Sequence, residues 1–168
     1  RGAGLYTRAG YVQTGWSTNK KGNAKNYDLG GTYTTNADAT LYPYWEQVVT
    51  YTVTFNANGH GTAPASQTVV SGEKATEPIA PTATGYTFGG WYREDACTNV
   101  WNFATDVVTA NTTLYAKWTA IQYTLTVNGG SGSGTYDYGT LVTITATPAD
   151  NYHFTQWADN VMTASRQV

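Results

Sequence analysis

Large and polar residues alternate along Tyr51-Thr52-Val53-Thr54-Phe55, the period-two signature of a strand with one face buried. Asn56-Ala57-Asn58-Gly59-His60-Gly61 then predicts a turn. Gln67-Thr68-Val69-Val70 predicts a second strand, stopped by Ser71-Gly72. Pro78 and Pro81 bracket an extended connection that cannot be helix interior. A third strand is expected from Tyr86 to Tyr92, with Tyr86 and Phe88 on one face and Thr87 on the other, followed by a helical turn at Glu94-Asp95-Ala96-Cys97. Trp101 and Phe103 form another alternating pair. Thr112 to Trp118 closes the pattern, with Leu114, Ala116 and Trp118 facing inward and Tyr115 and Lys117 outward. The cycle restarts at Tyr123-Thr124-Leu125-Thr126-Val127, continues through a Gly-rich turn at Gly129 to Gly134, and reaches a strong strand at Leu141 to Thr147.

The restart is part of a repeat. Gly85-Tyr86-Thr87-Phe88-Gly89-Gly90-Trp91 has counterparts in Gly10-Tyr11-Val12-Gln13-Thr14-Gly15-Trp16 and Asn151-Tyr152-His153-Phe154-Thr155-Gln156-Trp157. A second phrase recurs as Leu41-Tyr42-Pro43-Tyr44-Trp45 and Leu114-Tyr115-Ala116-Lys117-Trp118. Self-similarity at roughly 70 residues predicts an array of small modules. Their bounds are 1–47, the carboxyl-terminal part of one repeat; 48–119, a complete repeat; and 120–168, a divergent repeat cut off before its last strand. No Leu-Tyr-x-x-Trp phrase follows Trp157. The linkers around residues 46–49 and 119–122 are short, so a semi-rigid, elongated array is expected.

Composition changes the picture in two ways. Aromatic residues make up 14% of the chain, and a module of roughly 70 residues needs such a dense core because it buries only about 60% of its unfolded surface. Charged residues make up only 12%, with a net charge of −2, so no basic patch suits nucleic acid. No apolar run is long enough to span a membrane. The lone Cys97 excludes an intrachain disulfide and reads as a small packed residue.

These phrases resemble the Listeria–Bacteroides repeat, the B-repeat of internalin-type surface proteins. The likeness runs from Tyr51 to Trp118, through Asn-Ala-Asn-Gly at 56–59, Gly-Glu-Lys at 72–74, the Pro-Thr-x-Thr-Gly-Tyr-Thr-Phe-Gly-Gly-Trp-Tyr run at 81–92, Trp101-Asn102-Phe103 and Thr-Thr-Leu-Tyr-Ala-Lys-Trp at 112–118. Residues 4–45 are similar to the second half of another copy, with Tyr27 standing where Trp101 stands. Residues 121–168 resemble the divergent type, on Tyr136-Asp137-Tyr138-Gly139-Thr140 and Ala146-Thr147-Pro148-Ala149. The resemblance implies a mostly β, β-grasp (ubiquitin-like) module, tandem on secreted or wall-anchored bacterial proteins, with no catalytic residues and no cofactor.

The function classes follow from where the aromatics recur. Trp16, Trp91, Trp157, Trp45 and Trp118 occupy repeat-equivalent places and Trp101 matches Tyr27, so all six tryptophans, with Tyr86, Phe88 and Leu114, are expected to be core anchors rather than sugar platforms. Tyr42, Tyr92 and Tyr115 face outward by parity and are the candidate ligand contacts. His60 and His153 have no Cys or His companion, so no metal site is expected. No carboxylate pair supports glycosidase chemistry, and the Gly129–Gly134 segment opens no helix, so it is no phosphate loop. Asn111-Thr112-Thr113 reads as a turn rather than a glycosylation site, and neither Lys74 nor Lys117 is expected in an isopeptide bond. The expected role is non-catalytic: an extracellular bacterial surface segment acting as stalk and adhesion module towards a host or matrix protein or glycan. The alternatives are glycan binding by the three tyrosines and head-to-tail self-association by strand addition between incomplete end repeats.

Overall fold

The computed structural model describes residues 6–35 and 37–168, and these are all-β: strands, turns and loops, with no helix among the described residues. Chain contacts gather into two compact units, Arg1–Thr54 with Ser66–Glu77 and Asn102–Thr112, and Phe55–Ala65 with Pro78–Trp101 and Thr113–Val168.

In the first unit, β1 (Tyr11–Ser17) lies between β2 (Tyr27–Asp28) and β3 (Tyr42–Gln47), giving the order β2-β1-β3. Both ladders are antiparallel. Two residues beyond β3, β4 (Thr50–Asn56) begins, and it pairs with β5 (Gln67–Val70) in antiparallel register, Tyr51 opposite Val69. The predicted alternation holds along β4, where Val53 and Phe55 are buried and their neighbours exposed.

β6 (Tyr86–Tyr92) pairs with β7 (Thr112–Ala120), and the four-stranded sheet has the order β5-β4-β7-β6. Leu114 and Ala116 of β7 are fully buried, as their parity predicts. Simple parity fails on β6. Phe88 and Trp91 are three residues apart and would point to opposite faces of a regular strand, yet their rings meet edge to face at 5.4 Å. A break in register between Phe88 and Trp91 supplies the extra residue, and Gly90 carries it at φ +103°, a conformation that suits glycine. β1 breaks register at the same place in its phrase, between Gln13 and Gly15. On β6 the glycine before the tryptophan thus carries a bulge that re-aims the indole, whereas Gly15 of β1 pairs in register opposite Tyr44 without a positive φ. Trp91 is left 2% exposed, edge on to Phe55 at 4.8 Å.

Glu94–Cys97 closes as an isolated turn through the Cys97 N–H to the Glu94 carbonyl at 3.1 Å, and no helix develops. Trp101 lies outside any strand. Its N–H bonds the Trp91 carbonyl at 2.8 Å, the role that Asn26 fills towards Trp16 at 2.9 Å. Tyr27 therefore sits one residue past the Trp101 backbone position, beside Trp16 in the β1 ladder.

The third repeat is built from smaller sheets. β8 (Gln122–Leu125) pairs with β10 (Gly134–Asp137), while β11 (Thr143–Ala146) lies between β9 (Gly130–Ser131) and β12 (Ser165–Gln167). Val142 and Ile144 are its buried residues. The third aromatic phrase forms no strand. His153, expected on a strand, lies in an exposed irregular segment. A short strand does follow Trp157, in β12, although it lacks the Leu-Tyr-x-x-Trp phrase. From it Arg166 reaches back to Asp159 at 2.7 Å and lies 6.0 Å from the Trp157 ring centre.

Candidate functional site

The tryptophans divide by depth. Trp91 and Trp101 are buried, and Leu114 is fully buried, whereas Trp16, Trp45, Trp118 and Trp157 are half-buried, with Tyr86 and Phe88 beside them. The half-buried indoles are engaged nonetheless. Trp118 donates to the Ala57 carbonyl at 2.8 Å and Trp157 to the Thr163 carbonyl at 3.0 Å. Trp16 shares a shallow hollow with Tyr27, Tyr33 and Leu41.

Tyr92 and Tyr115 are brought together, directly opposite each other in the β6–β7 ladder. Both are half-buried, and the Lys117 ammonium stands 5.0 Å from the Tyr92 ring centre, within cation–π range. Tyr42 lies apart from them at the start of β3, half-buried and opposite Ser17. The three outward tyrosines therefore form one pair and one separate residue.

Other residue types that suggest chemistry have structural partners. Glu94 Oε1 accepts from the Thr98 N–H at 2.8 Å and from the Asn99 N–H at 2.6 Å. The Thr98 hydroxyl first, and the Asn99 backbone next, hold this carboxyl below the usual glutamate range. Cys97 sits at φ 52° with its Sγ accepting from the Asn58 amide at 3.5 Å. Lys74 Nζ donates to the Ala104 carbonyl at 2.5 Å. Asn111 Oδ1 accepts the Thr52 N–H at 2.9 Å, which makes it a brace between its turn and β4. Among the described residues no group of three His, Cys, Asp or Glu side chains could hold a metal ion, and no helix is long and apolar enough to cross a membrane.

The feature that residue-by-residue reading missed is at the connections between repeats. At the first, the Val48 N–H bonds the Gly10 carbonyl at 2.8 Å and the Val49 carbonyl accepts the Ser71 N–H at 2.8 Å. At the second, Ile121 does both jobs: its N–H bonds the Gly85 carbonyl at 2.8 Å and its carbonyl accepts the Tyr138 N–H at 2.9 Å. The upstream repeat's last ladder and the downstream repeat's first thus share a continuous hydrogen-bonded backbone. Around the second connection an aromatic series develops. The His60 ring stacks on Tyr86 at 3.8 Å, Tyr86 meets Tyr138 edge on at 6.0 Å, and Tyr138 lies 6.4 Å from Tyr123. The sequence signal was the Tyr138-Gly139 pair, which falls where the central repeat has Ser71-Gly72.

Comparison with known proteins finds two related repeat profiles along the chain. The profile of the Listeria-Bacteroides repeat domain matches residues 4–43 and 51–117, and that of the divergent InlB B-repeat domain matches residues 123–168. A protein of Evansella cellulosilytica named for a Gly-rich membrane protein is 34% identical over 154 residues, covering 88% of this chain and 18% of that protein. A second from that organism, named as a membrane protein, is 36% identical over 129 residues, covering 74% of this chain and 19% of its own length. Internalin H of Listeria monocytogenes is 40% identical over 114 residues, covering 67% of this chain and 20% of its own. The chain thus spans about a fifth of the length of these relatives. On the profiles' span and these identities, the chain belongs to the Listeria–Bacteroides repeat family and carries a divergent internalin B-repeat in its final third.

Proposed function

We propose that the chain is a non-catalytic spacer of a bacterial surface or secreted protein: tandem β-grasp modules, bounded at residues 1–47, 48–119 and 120–168, that hold neighbouring parts of a larger protein at a set distance and take part in adhesion. The observation that carries this is the pair of connectors. Val48–Val49 and Ile121 leave no flexible linker, because each repeat's first ladder begins where the previous repeat's last ladder ends, with both ends hydrogen-bonded. A short, bonded connection restricts bending in a way a Gly/Ser linker cannot. Membership in the internalin-type repeat family supports the surface location. The test is small-angle scattering of the purified chain: an elongated particle is expected, and a compact sphere refutes the spacer.

Glycan binding by Tyr92 and Tyr115 is the second reading, supported by their adjacency on one face of the β6–β7 ladder. A glycan array on the native chain and on the Tyr92→Ala, Tyr115→Ala double variant tests it, with Tyr42→Ala as the separate site; hits that survive all three changes refute it. Head-to-tail self-association is the remaining reading, supported by two edge strands: β3 pairs only with β1, and β8 only with β10, among the described strands. Such an edge can accept an added strand, and a sedimentation coefficient that stays constant as concentration rises refutes it.

A further inference from the structure

We propose that the third repeat is locked onto the central repeat by Tyr138, and that Gly85 and Tyr86 form the socket that receives its ring. The observations are geometric. Gly85 is buried and stands at φ +79°, and a Cβ built on it would overlap the Tyr138 ring, so any side chain at 85 displaces the tyrosine. One wall of the socket is Tyr86, edge on to Tyr138 at 6.0 Å and backed by the stacked His60. On the third repeat's own side Tyr123 supports the ring at 6.4 Å. Two backbone bonds close the same spot, Ile121 N–H to the Gly85 carbonyl and Tyr138 N–H to the Ile121 carbonyl, at 2.8 and 2.9 Å. Tyr138 as a residue remains 43% exposed, so its ring meets the socket along one side only.

The first connection is the internal control. Its backbone bonds are equivalent, but Ser71 occupies the Tyr138 place, and a Cβ on Gly10, the Gly85 counterpart, would meet nothing within 4 Å. Glycine is needed at 85 for the ring as well as for the turn, and at 10 for the turn alone. The partner a B-repeat socket of this kind fits is therefore a following repeat that presents an aromatic residue immediately before the hairpin glycine, as Tyr138-Gly139 does. A repeat presenting Ser-Gly docks through backbone bonds only.

The inference deepens the spacer reading, and the test separates the two. Amide hydrogen exchange is followed by NMR on the whole chain. In the native protein Ile121 and Tyr138 amides are expected to exchange about tenfold more slowly than Val48 and Ser71, the difference one edge-to-face aromatic contact supplies. Y138S is expected to raise exchange at Ile121 and residue 138 about tenfold while the Leu114 and Ile144 amides keep their protection, and Y138F is expected to behave as native. Equal rates at the two native connections, no change in Y138S, or a Y138F as fast as Y138S each overturn the lock. Because the native comparison needs no variant, a Y138S chain that fails to fold leaves the proposal decidable. None of these results bears on whether the particle is elongated by scattering, so the lock and the spacer fail independently.

Discussion

Replacing Trp91 with alanine separates a core role from a ligand-platform role by magnitude. The side chain is 2% exposed and lies against Phe55 at 4.8 Å and Phe88 at 5.4 Å, so truncation removes nearly all of a large apolar surface and leaves a cavity between two rings. Trp→Ala at such a site costs about 3–5 kcal/mol. A repeat of roughly 70 residues, at about 0.05–0.15 kcal/mol per residue, has only about 4–10 kcal/mol in total. The variant should therefore lose about a third or more of its repeat's stability, read as a lowered urea midpoint at unchanged slope. Trp91→Phe should cost far less. It keeps the two edge-to-face contacts, and it removes an indole N–H that is buried without a hydrogen-bond partner in the described structure, which offsets part of the lost area. Tyr92→Ala, beside it but on the outward face, should cost about 1 kcal/mol, the scale of a cross-strand pair plus a weak cation–π contact. A Trp91→Ala cost below about 1 kcal/mol, or one no larger than that of Tyr92→Ala, refutes the core assignment.

Three further outcomes are expected. Glu94 has a folded-state pKa below its ordinary value, so its loop is fully bonded above the unfolded-state pKa and is released as pH falls through the depressed folded-state value; amide shifts of Thr98 and Asn99 should track that titration, and Glu94→Gln should weaken both bonds at neutral pH. Gly61→Ala should destabilise by more than about 1 kcal/mol in thermal unfolding, because residue 61 stands at φ +67° and the new Cβ would lie 2.5 Å from the Thr82 carbonyl oxygen. Asn111→Ala should expose the Thr52 amide and cost about 1 kcal/mol, with faster exchange at that one amide of β4 as the specific readout.

Strand identity was legible wherever one face meets a core. β4, β5 and β7 follow the period-two pattern because Val53, Val69, Leu114 and Ala116 each have a buried face to specify. What the alternation could not show is the bulge on β6. Counting residues puts Trp91 opposite Phe88, and only the glycine at φ +103° turns it inward. The Gly-Trp pairing in two of the three phrases was the visible trace, but the two glycines act differently: Gly90 takes a positive φ, while a Cβ on Gly15 would stand 2.2 Å from the Tyr27 carbonyl oxygen. The third phrase has Gln156 before Trp157, and no strand forms there, so in this chain the phrase and the bulged strand go together only when the glycine is present. His60 was read as a turn residue, and its stacking on Tyr86 depends on a loop path that no local pattern encodes. Parity named Tyr42, Tyr92 and Tyr115 as outward but did not show that Tyr92 and Tyr115 stand opposite each other, which follows from the register of β6 and β7.

The two connectors differ by one residue, and that difference predicts more than a change of length. In an extended chain successive residues face opposite ways, so one added residue turns everything that follows by about half a turn. Val48 and Val49 divide between them the two hydrogen bonds that Ile121 makes alone. Inserting a valine between Ile121 and Gln122 should convert the second connection into the first kind: the inserted residue takes the bond from Tyr138, Ile121 keeps its bond to Gly85, and the tyrosine ring is carried away from its socket. The expected signature is a fall of Tyr138 amide protection to the level of Ser71 and loss of the ring-current shift that Tyr138 imposes on Tyr86, with Leu114 and Ile144 amides unaffected. If the insertion leaves the Tyr86 and Tyr138 ring shifts as they are in the native chain, the connector length does not set the facing of the third repeat, and the Tyr138 contact must be strong enough to absorb an extra residue by looping it out. Either result ranks the backbone connector against the aromatic contact as the part that fixes the junction, which the Tyr138 substitutions alone cannot do.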